Sequence, residues 1–357
     1  MDNIDFLGNG TAQGEVAQAI MSNGKMDPGA LKPFVHTDGR SYVQVYTGGD
    51  PSKPESYKNI MANAGATLRR DEWKKLDDAV LQISRSRLGG VQDLIDNGLV
   101  YNLGNGMGTT VLEYHDISDA LAAELTMDGV TRAKGDRPEF TTKYLPIPII
   151  HADYEINSRV LAASRNMGNP LDTTLAEIAA RKVSEKLEAM LFTSTSYTFG
   201  GGTIYSYLNH PDINPVTLDI GWDHSACTGA KIVSDILEMK QASIAAKHYG
   251  PWMIYIPTAY ETTLDDDYNT YRGETIRQRI LSIAGIKGIK VVDSLTADNV
   301  LLVQMTSDCV RLVQGMGIQN VEWTTEGNFV HKYKVMQIAV PQVRSDQAGH
   351  SGITLLA

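Results

Sequence analysis

The sequence predicts an α+β protein, on three observations. Leu175, Ala179, Val183, Leu187 and Met190, with Ile178 beside them, form an apolar ridge at helical spacing and mark one long helix. After Gly200-Gly201-Gly202, short buried strands alternate with amphipathic helices. A long strand-like run, "FVHKYKVMQIAV" from Phe329, returns near the C-terminal end. With 357 residues, 42% of them hydrophobic, the chain can bury a substantial core in one large or two ordinary domains.

Residues 1 to about 70 are rich in Gly, Asn, Ser and Pro, as in "HTDGRSYVQVYTGGDPSKPES", and their apolar periodicity is weak. They read as an extended arm with little core of its own, either an interaction element or a loose tail. Order begins at "DEWKKLDDAVLQISRSRL", where Trp73, Leu76, Val80 and Ile83 recur at helical spacing. Asp71 and Glu72 open this helix and Arg85 and Arg87 close it, as the macrodipole favours, and Gly89-Gly90 stops it.

Residues 103–145 begin with "GNGMGTT", pass through "VLEYHDISDALAAEL" and continue as "MDGVTRAKGDRPEF", with turn residues every few positions. This is a long excursion, a twisted hairpin without a core, and should lie on a neighbour. A strand from Pro146 to Ile156 follows, then "NMGNP" and the long helix, with Thr174 and Glu177 at capping-box spacing. Beyond it, Ile232, Ile236, Met239 and Ile244 mark a helix, "WMIYIP" a buried strand, and Ile276, Ile280 and Ile283 a second helix. "IKVV", "NVLLVQ", "CVRLVQ" and "GITLLA" read as further strands.

Chemistry is sparse. The net charge of -10, with no Lys/Arg-rich stretch, argues against a dedicated nucleic-acid binder. Cys227 and Cys309 are far apart and read as small core thiols in a reducing, intracellular setting. No apolar run approaches the roughly 18 residues that span a bilayer, and "MDNIDFLGNG" is no signal peptide. "GNGMG" at 104–108 lacks the Lys-Ser/Thr and the frame of a phosphate loop and reads as a hinge. Asp265-Asp266-Asp267 lacks EF-hand spacing and reads as a solvated turn. Neither a G-x-S-x-G elbow nor H-E-x-x-H or Cys/His spacing occurs.

The densest group of ligand-type side chains is in "PIPIIHADYEIN". His151, Asp153 and Glu155 stand at alternate positions and so share one face of a strand, while Ile150, Tyr154 and Ile156 share the other. The polar set reads either as part of a metal-dependent site or as the wet, subunit-facing side of an amphipathic strand. Pro146 and Pro148 lack N–H donors, which places a hinge or a sheet edge at the strand's start.

The order of elements, carried by "RLGGVQDLIDNGLVYNLGNG", by "LPIPIIHADYEINSRVLAASRNMGNPLDTTLAEIAARKVSEKLEAMLF", by "GPWMIYIPTAYETTLDDDYNTYRGETIRQRILSIAGIKGIKVVDSLTADNVLLVQ" and by "CVRLVQGMGIQNVEW" with "VHKYKVMQIAVPQV", resembles the HK97-like fold of tailed-phage major capsid proteins and bacterial encapsulins. It covers about residues 71–357 and contains no catalytic signature. The resemblance implies an N-terminal arm at 1–70, a helix and turn at 71–102 and an extended loop at 103–145. It implies a peripheral domain with a spine helix at 146–222, joined by a returning strand at 329–343, and an axial domain at 223–328, joined by 344–357.

The same resemblance implies a structural major capsid protein, not an enzyme and without cofactor. It would self-assemble through pentamers and hexamers into an icosahedral shell around double-stranded DNA, without sequence-specific binding or a membrane. Portal, scaffolding or decoration proteins would be its other partners, and it would be made in a bacterial host's cytoplasm and end in the virion. An encapsulin-type compartment around a cargo enzyme is the alternative, and a metal-dependent enzyme on the His151 strand a remote one. Met1 at the start leads to an expectation of no maturation cleavage. Lys134 and Lys143 lie in or beside the loop, but no matching Asn and acid are found, so the crosslinking chemistry of some relatives is not carried over. Lys134, Arg137, Lys143, His151, Asp153 and Glu155 are the candidate contacts between subunits.

Overall fold

A computed structural model describes residues 32–48, 50, 53–61, 68–87, 89–117, 127, 140–159, 161–162, 173–194, 196–269, 272–323 and 330–357. The strands are β1 (Phe34–Val35), β2 (Ser41–Tyr46), β3 (Tyr57–Met61), β4 (Val100–Asn102), β5 (Val111–Ile117), β6 (Phe140–Pro146), β7 (Ile150–Asn157), β8 (Tyr197–Phe199), β9 (Gly202–Ile204), β10 (Asn214–Val216), β11 (Trp252–Pro257), β12 (Asp267–Asn269), β13 (Arg272–Thr275), β14 (Ile286–Val292), β15 (Val300–Gln304), β16 (Val310–Trp323), β17 (Val330–Val343) and β18 (Ile353–Leu356). The helices used below are α1 (Arg70–Arg87), α2 (Gly90–Asp96), α3 (Thr174–Phe192), α4 (Gly229–Ala245) and α5 (Ile276–Leu281).

Two sheets organise the molecule. The first has the order β4-β16-β17-β7, and α3 packs on it with α1 alongside. Along β7, Ile150, Tyr154 and Ile156 are buried, and they join Leu76, Val80, Val183, Leu187 and Tyr333 in the largest core cluster. Tyr154 stacks on Tyr333 at 5.2 Å between ring centres, and the Asn320 amide donates to the Tyr154 hydroxyl at 2.7 Å, so that buried oxygen has a partner.

The second sheet has the order β10-β18-β15-β11-β14. Every residue of β11 is buried, as a central strand covered on both faces requires. One face carries α4 and α5 through Ile232, Ile236, Met239, Ile276 and Ile280, packed with Trp252, Ile254 and Ile256. The other face gives Met253, Tyr255, Leu301 and Val303 to the same cluster as α1 and α3, so the two sheets share a core. Thr275 and Gln278 close a capping box at the start of α5, a signature not read in the sequence.

Several expectations shift. The segment 34–61 lies within the expected arm, yet β1-β2-β3 form an antiparallel sheet, because Val43 and Val45 alternate inward and Phe34 reaches the main core. Residues 1–31 lie outside the described residues. Strand β16, expected within the axial stretch 223–328, pairs along its length with β17 and belongs to the first sheet. Strand β10, expected in the stretch 146–222, pairs with β18 in the second. The chain crosses between the sheets at 205–213, ahead of β10, and at 305–309, ahead of β16, which accounts for the two changes, and crosses again at 344–352.

The long helix begins one residue off the expected cap. Thr173 occupies the N-cap position, and its hydroxyl donates to the Glu177 carboxylate at 2.6 Å. Its buried ridge is Ala176, Ala180, Val183, Leu187 and Leu191, whereas Leu175 and Ile178 stay exposed.

Candidate functional site

The extended loop leaves the core as a two-stranded ribbon. β5 and β6 pair from Val111↔Pro146 to Ile117↔Phe140. The ribbon's root is anchored where Gly106 passes Gly315 on β16. A Cβ built on Gly106 would lie 2.3 Å from the Gly315 carbonyl carbon, so both positions need glycine for two backbones to pass this closely. The "GNGMG" stretch is therefore a point of close approach, and it seats Leu103 and Met107 against β16 and β17.

Beside the ribbon stands a short hairpin, β8-β9, turning at Gly200 and Gly201 with φ of 57° and 80°. A Cβ at Gly202 would meet the Tyr144 carbonyl oxygen at 2.1 Å, so this hairpin is pressed onto β6. Tyr144, Tyr197 and Phe199 are nonetheless exposed, with Phe199 at 53%. Aromatic side chains left uncovered on adjoining elements are what a protein interface recruits.

The alternating triplet lies on β7 as the spacing predicts, with His151, Asp153 and Glu155 exposed. Across the ladder β17 places Lys334 opposite Asp153 and Lys332 opposite Glu155. The Lys334 ammonium lies 3.4 Å from Asp153, the Lys332 ammonium 3.9 Å from Glu155, and His151 Nδ1 3.5 Å from Asp153. The two lysines were legible in "VHKYKV", whose alternation matches that of "HADYEIN", but only the register joins them. The face is a charge ladder within the chain. Exposed pairs of this kind contribute about 0–1 kcal/mol each. Lys143 sits half-buried on β6 opposite Tyr114, while Lys134 and Arg137 lie outside the described residues.

Two groups escaped the sequence reading, since each gathers residues far apart in the chain. The first lies between the sheets. Glu188, buried on α3, accepts from the Gly90 and Val91 N–H groups at 2.6 and 3.2 Å, which satisfies the start of α2. Asp93, also buried, accepts from the Tyr255 hydroxyl at 3.0 Å and pairs with the Lys290 ammonium at 2.5 Å. Burial raises the Glu188 carboxyl above its ordinary range, against the opposing pull of the two N–H groups. Phe192, Tyr207 and Tyr255 pack their rings around this junction.

The second group is His248, Asp308 and Cys309, whose ligand atoms all lie within 4.8 Å of one another. Cys309 is a buried free thiol, as its strand context predicted, and burial pushes it up to about 12. Cys227 is a half-buried free thiol. Among the described residues, His151, Asp153 and Glu155 do not form such a group.

Comparison with known proteins places this architecture. Residues 63–355 match the family described as "Family of unknown function (DUF6260)". A virus-like particle protein from Pyrococcus furiosus superposes with a TM-score of 0.58 at 18% identity, covering 80% of this chain and 99% of that one. The capsid of Myoviridae phage XM1 gives 0.57 at 11% identity, over 75% of this chain and 91% of that one. The capsid of a native GTA particle gives 0.52 at 13% identity, over 75% and 90%. The type 1 encapsulin shell protein EncA of Myxococcus xanthus is 27% identical over 136 residues, which is 38% of this chain and 45% of that protein. This match therefore spans less than half of the relative's length. The fold is HK97-like, as the resemblance in the sequence implied.

Proposed function

The chain belongs to the DUF6260 family, and on that premise, with its HK97-like fold, we propose that it is the major capsid protein of a tailed phage or prophage. The carrying observation is the extent of the match: capsid proteins of a phage and of a GTA particle superpose over nine-tenths of their own length. Copies of the chain assemble through pentamers and hexamers into a closed icosahedral shell around double-stranded DNA. The acidic balance suits the role, because a strongly basic lining would hold packaged DNA through released counterions. Assembly takes place in the host cytoplasm, the product is the virion, and portal, scaffolding or decoration proteins complete it. The first sheet with α3 serves as the peripheral domain and the second sheet as the axial domain. The shell protein has no catalytic role and needs no cofactor.

The surfaces fit this reading. A ribbon of 111–117 and 140–146, with two strands in its sheet and no third beside them among the described residues, gains stability by lying on a second copy. Tyr144, Tyr197 and Phe199 beside it, and Leu175 and Ile178 on α3, supply exposed apolar area for such contacts. Lys143, His151, Asp153 and Glu155 contribute charge at the same borders, with Lys134 and Arg137 on the loop. Expression of the chain alone followed by electron microscopy tests the proposal. Closed particles are expected, and protein that stays monomeric at all concentrations overturns it.

The sequence similarity to an encapsulin shell protein favours a second reading, a compartment around a cargo enzyme. Particles that co-purify with an enzyme and show a protein-dominated absorbance spectrum select it over the capsid.

A further inference from the structure

Two of the connections between the sheets meet at one place. Residues 305–309 carry the chain from β15 to β16, and residues 344–352 return it from β17 to β18. They are tied by backbone bonds, Arg344 N–H to the Cys309 carbonyl at 2.8 Å and Gln304 N–H to the Gly352 carbonyl at 2.8 Å. A third segment, just past α4, brings His248 to the same point. Lys247 takes a left-handed φ of 63°, and the Ser243 hydroxyl donates to the His248 carbonyl at 3.2 Å while accepting from Trp252 Nε1 at 3.0 Å. His248 is thus held by a packed frame.

We propose that His248 Nδ1, Cys309 Sγ and the Asp308 carboxylate bind a zinc ion. Zinc at about 2.3 Å from sulfur and about 2.0–2.1 Å from nitrogen or oxygen, in a tetrahedron, sets ligand-to-ligand edges of about 3.3–3.6 Å. The observed separations are 3.2 Å from Cys309 Sγ to His248 Nδ1 and 3.7 Å from Cys309 Sγ to Asp308 Oδ2. The donor set is the mixed thiolate, imidazole and carboxylate that zinc accepts.

The surroundings fit a ligating role. The Thr306 hydroxyl donates to Cys309 Sγ at 3.4 Å, a bond that supports a thiolate. Cys309 is 1% exposed, but Asp308 is exposed, so an ion enters from the Asp308 side and leaves its fourth position toward solvent. Binding exchanges one proton for the ion: the S–H bond of Cys309 breaks, the sulfur keeps the electron pair and bonds to zinc, and the proton goes to water. The ion would fasten the crossing at 305–309, and through it the one at 344–352, to the end of α4.

The test uses untagged protein, treated with EDTA, re-equilibrated with zinc alone or cobalt(II) alone, and desalted. Elemental analysis is expected to give one zinc per chain, and cobalt(II) a thiolate charge-transfer absorption. Cys309→Ser is expected to abolish both. Asp308→Asn, at an exposed position that leaves the core intact, is expected to weaken zinc binding by about tenfold or more. It should also remove the rise in thermal midpoint that zinc gives the parent protein. Parent protein that retains no zinc overturns the proposal. Binding that both variants match also overturns it, and if Cys309→Ser does not fold, unchanged binding by Asp308→Asn does so alone.

Discussion

The Glu188 carboxylate accepts the Gly90 N–H at 2.6 Å across 98 residues of sequence. One glutamate from the long helix thereby completes the first turn of α2, and Asp93 within that helix holds Tyr255 and Lys290 of the second sheet. Helix, turn and sheet are joined through buried polar groups, whose loss is costly because the partners stay buried.

Glu188→Ala is therefore expected to lower stability by about 2 kcal/mol or more, since two buried N–H groups lose their acceptor. Thermal or urea unfolding measures it. A Glu188→Gln variant isolates the charge. Because burial raises the folded carboxyl above its ordinary 4.5, the Glu188 contribution is full below that value. It is lost as pH rises through the folded value. The midpoint of the parent minus that of Glu188→Gln should fall with rising pH and then level off.

Tyr255→Phe and Asp93→Asn should prove coupled. Their double-mutant cycle is expected to give about 1–3 kcal/mol of interaction, as for groups sharing one buried hydrogen bond. Additive losses would show that the 3.0 Å contact between them carries little.

Gly106→Ala puts a methyl group into the Gly315 backbone. Overpacking of this kind costs about 1–3 kcal/mol. The ribbon should detach from β16, seen as faster proteolysis within 103–145 while the second sheet stays protected.

Tyr144→Ser with Phe199→Ser trims two rings that are 43% and 53% exposed and belong to none of the core clusters. The isolated chain should keep its unfolding midpoint, while particle yield by electron microscopy falls sharply. Particles in parental yield would remove this patch from the contacts between copies.

Asp153→Ala with Glu155→Ala breaks two exposed pairs with Lys334 and Lys332. The cost to the isolated chain should stay under about 1 kcal/mol per pair. A larger loss in the heat stability of particles would show that these carboxylates also serve a neighbouring copy.

Sequence periodicity located what is local. The alternation in "HADYEIN" put Ile150, Tyr154 and Ile156 on the core side, and the helical spacing from Trp73 onward found the inner face of α1. It misjudged α3, where Leu175 and Ile178 fit an apolar ridge yet stay exposed while Ala176 and Ala180 are buried. Spacing reports that residues share a side of a helix, not which side meets the sheet. The partners of Asp153, Glu188 and Cys309 were illegible for one reason: each is chosen by register or by a crossing between sheets, and neither leaves a local trace.

The position of β18 has a consequence for how the chain matures during synthesis. It lies between β10 and β15, parallel to one and antiparallel to the other, although 353–356 is the latest segment of that sheet to be translated. Until it emerges from the ribosome, β10 has no partner and β15 has an open edge. A truncated product thus lacks an interior strand of the second sheet, and only chains translated through Leu356 can present that sheet, closed, to other copies.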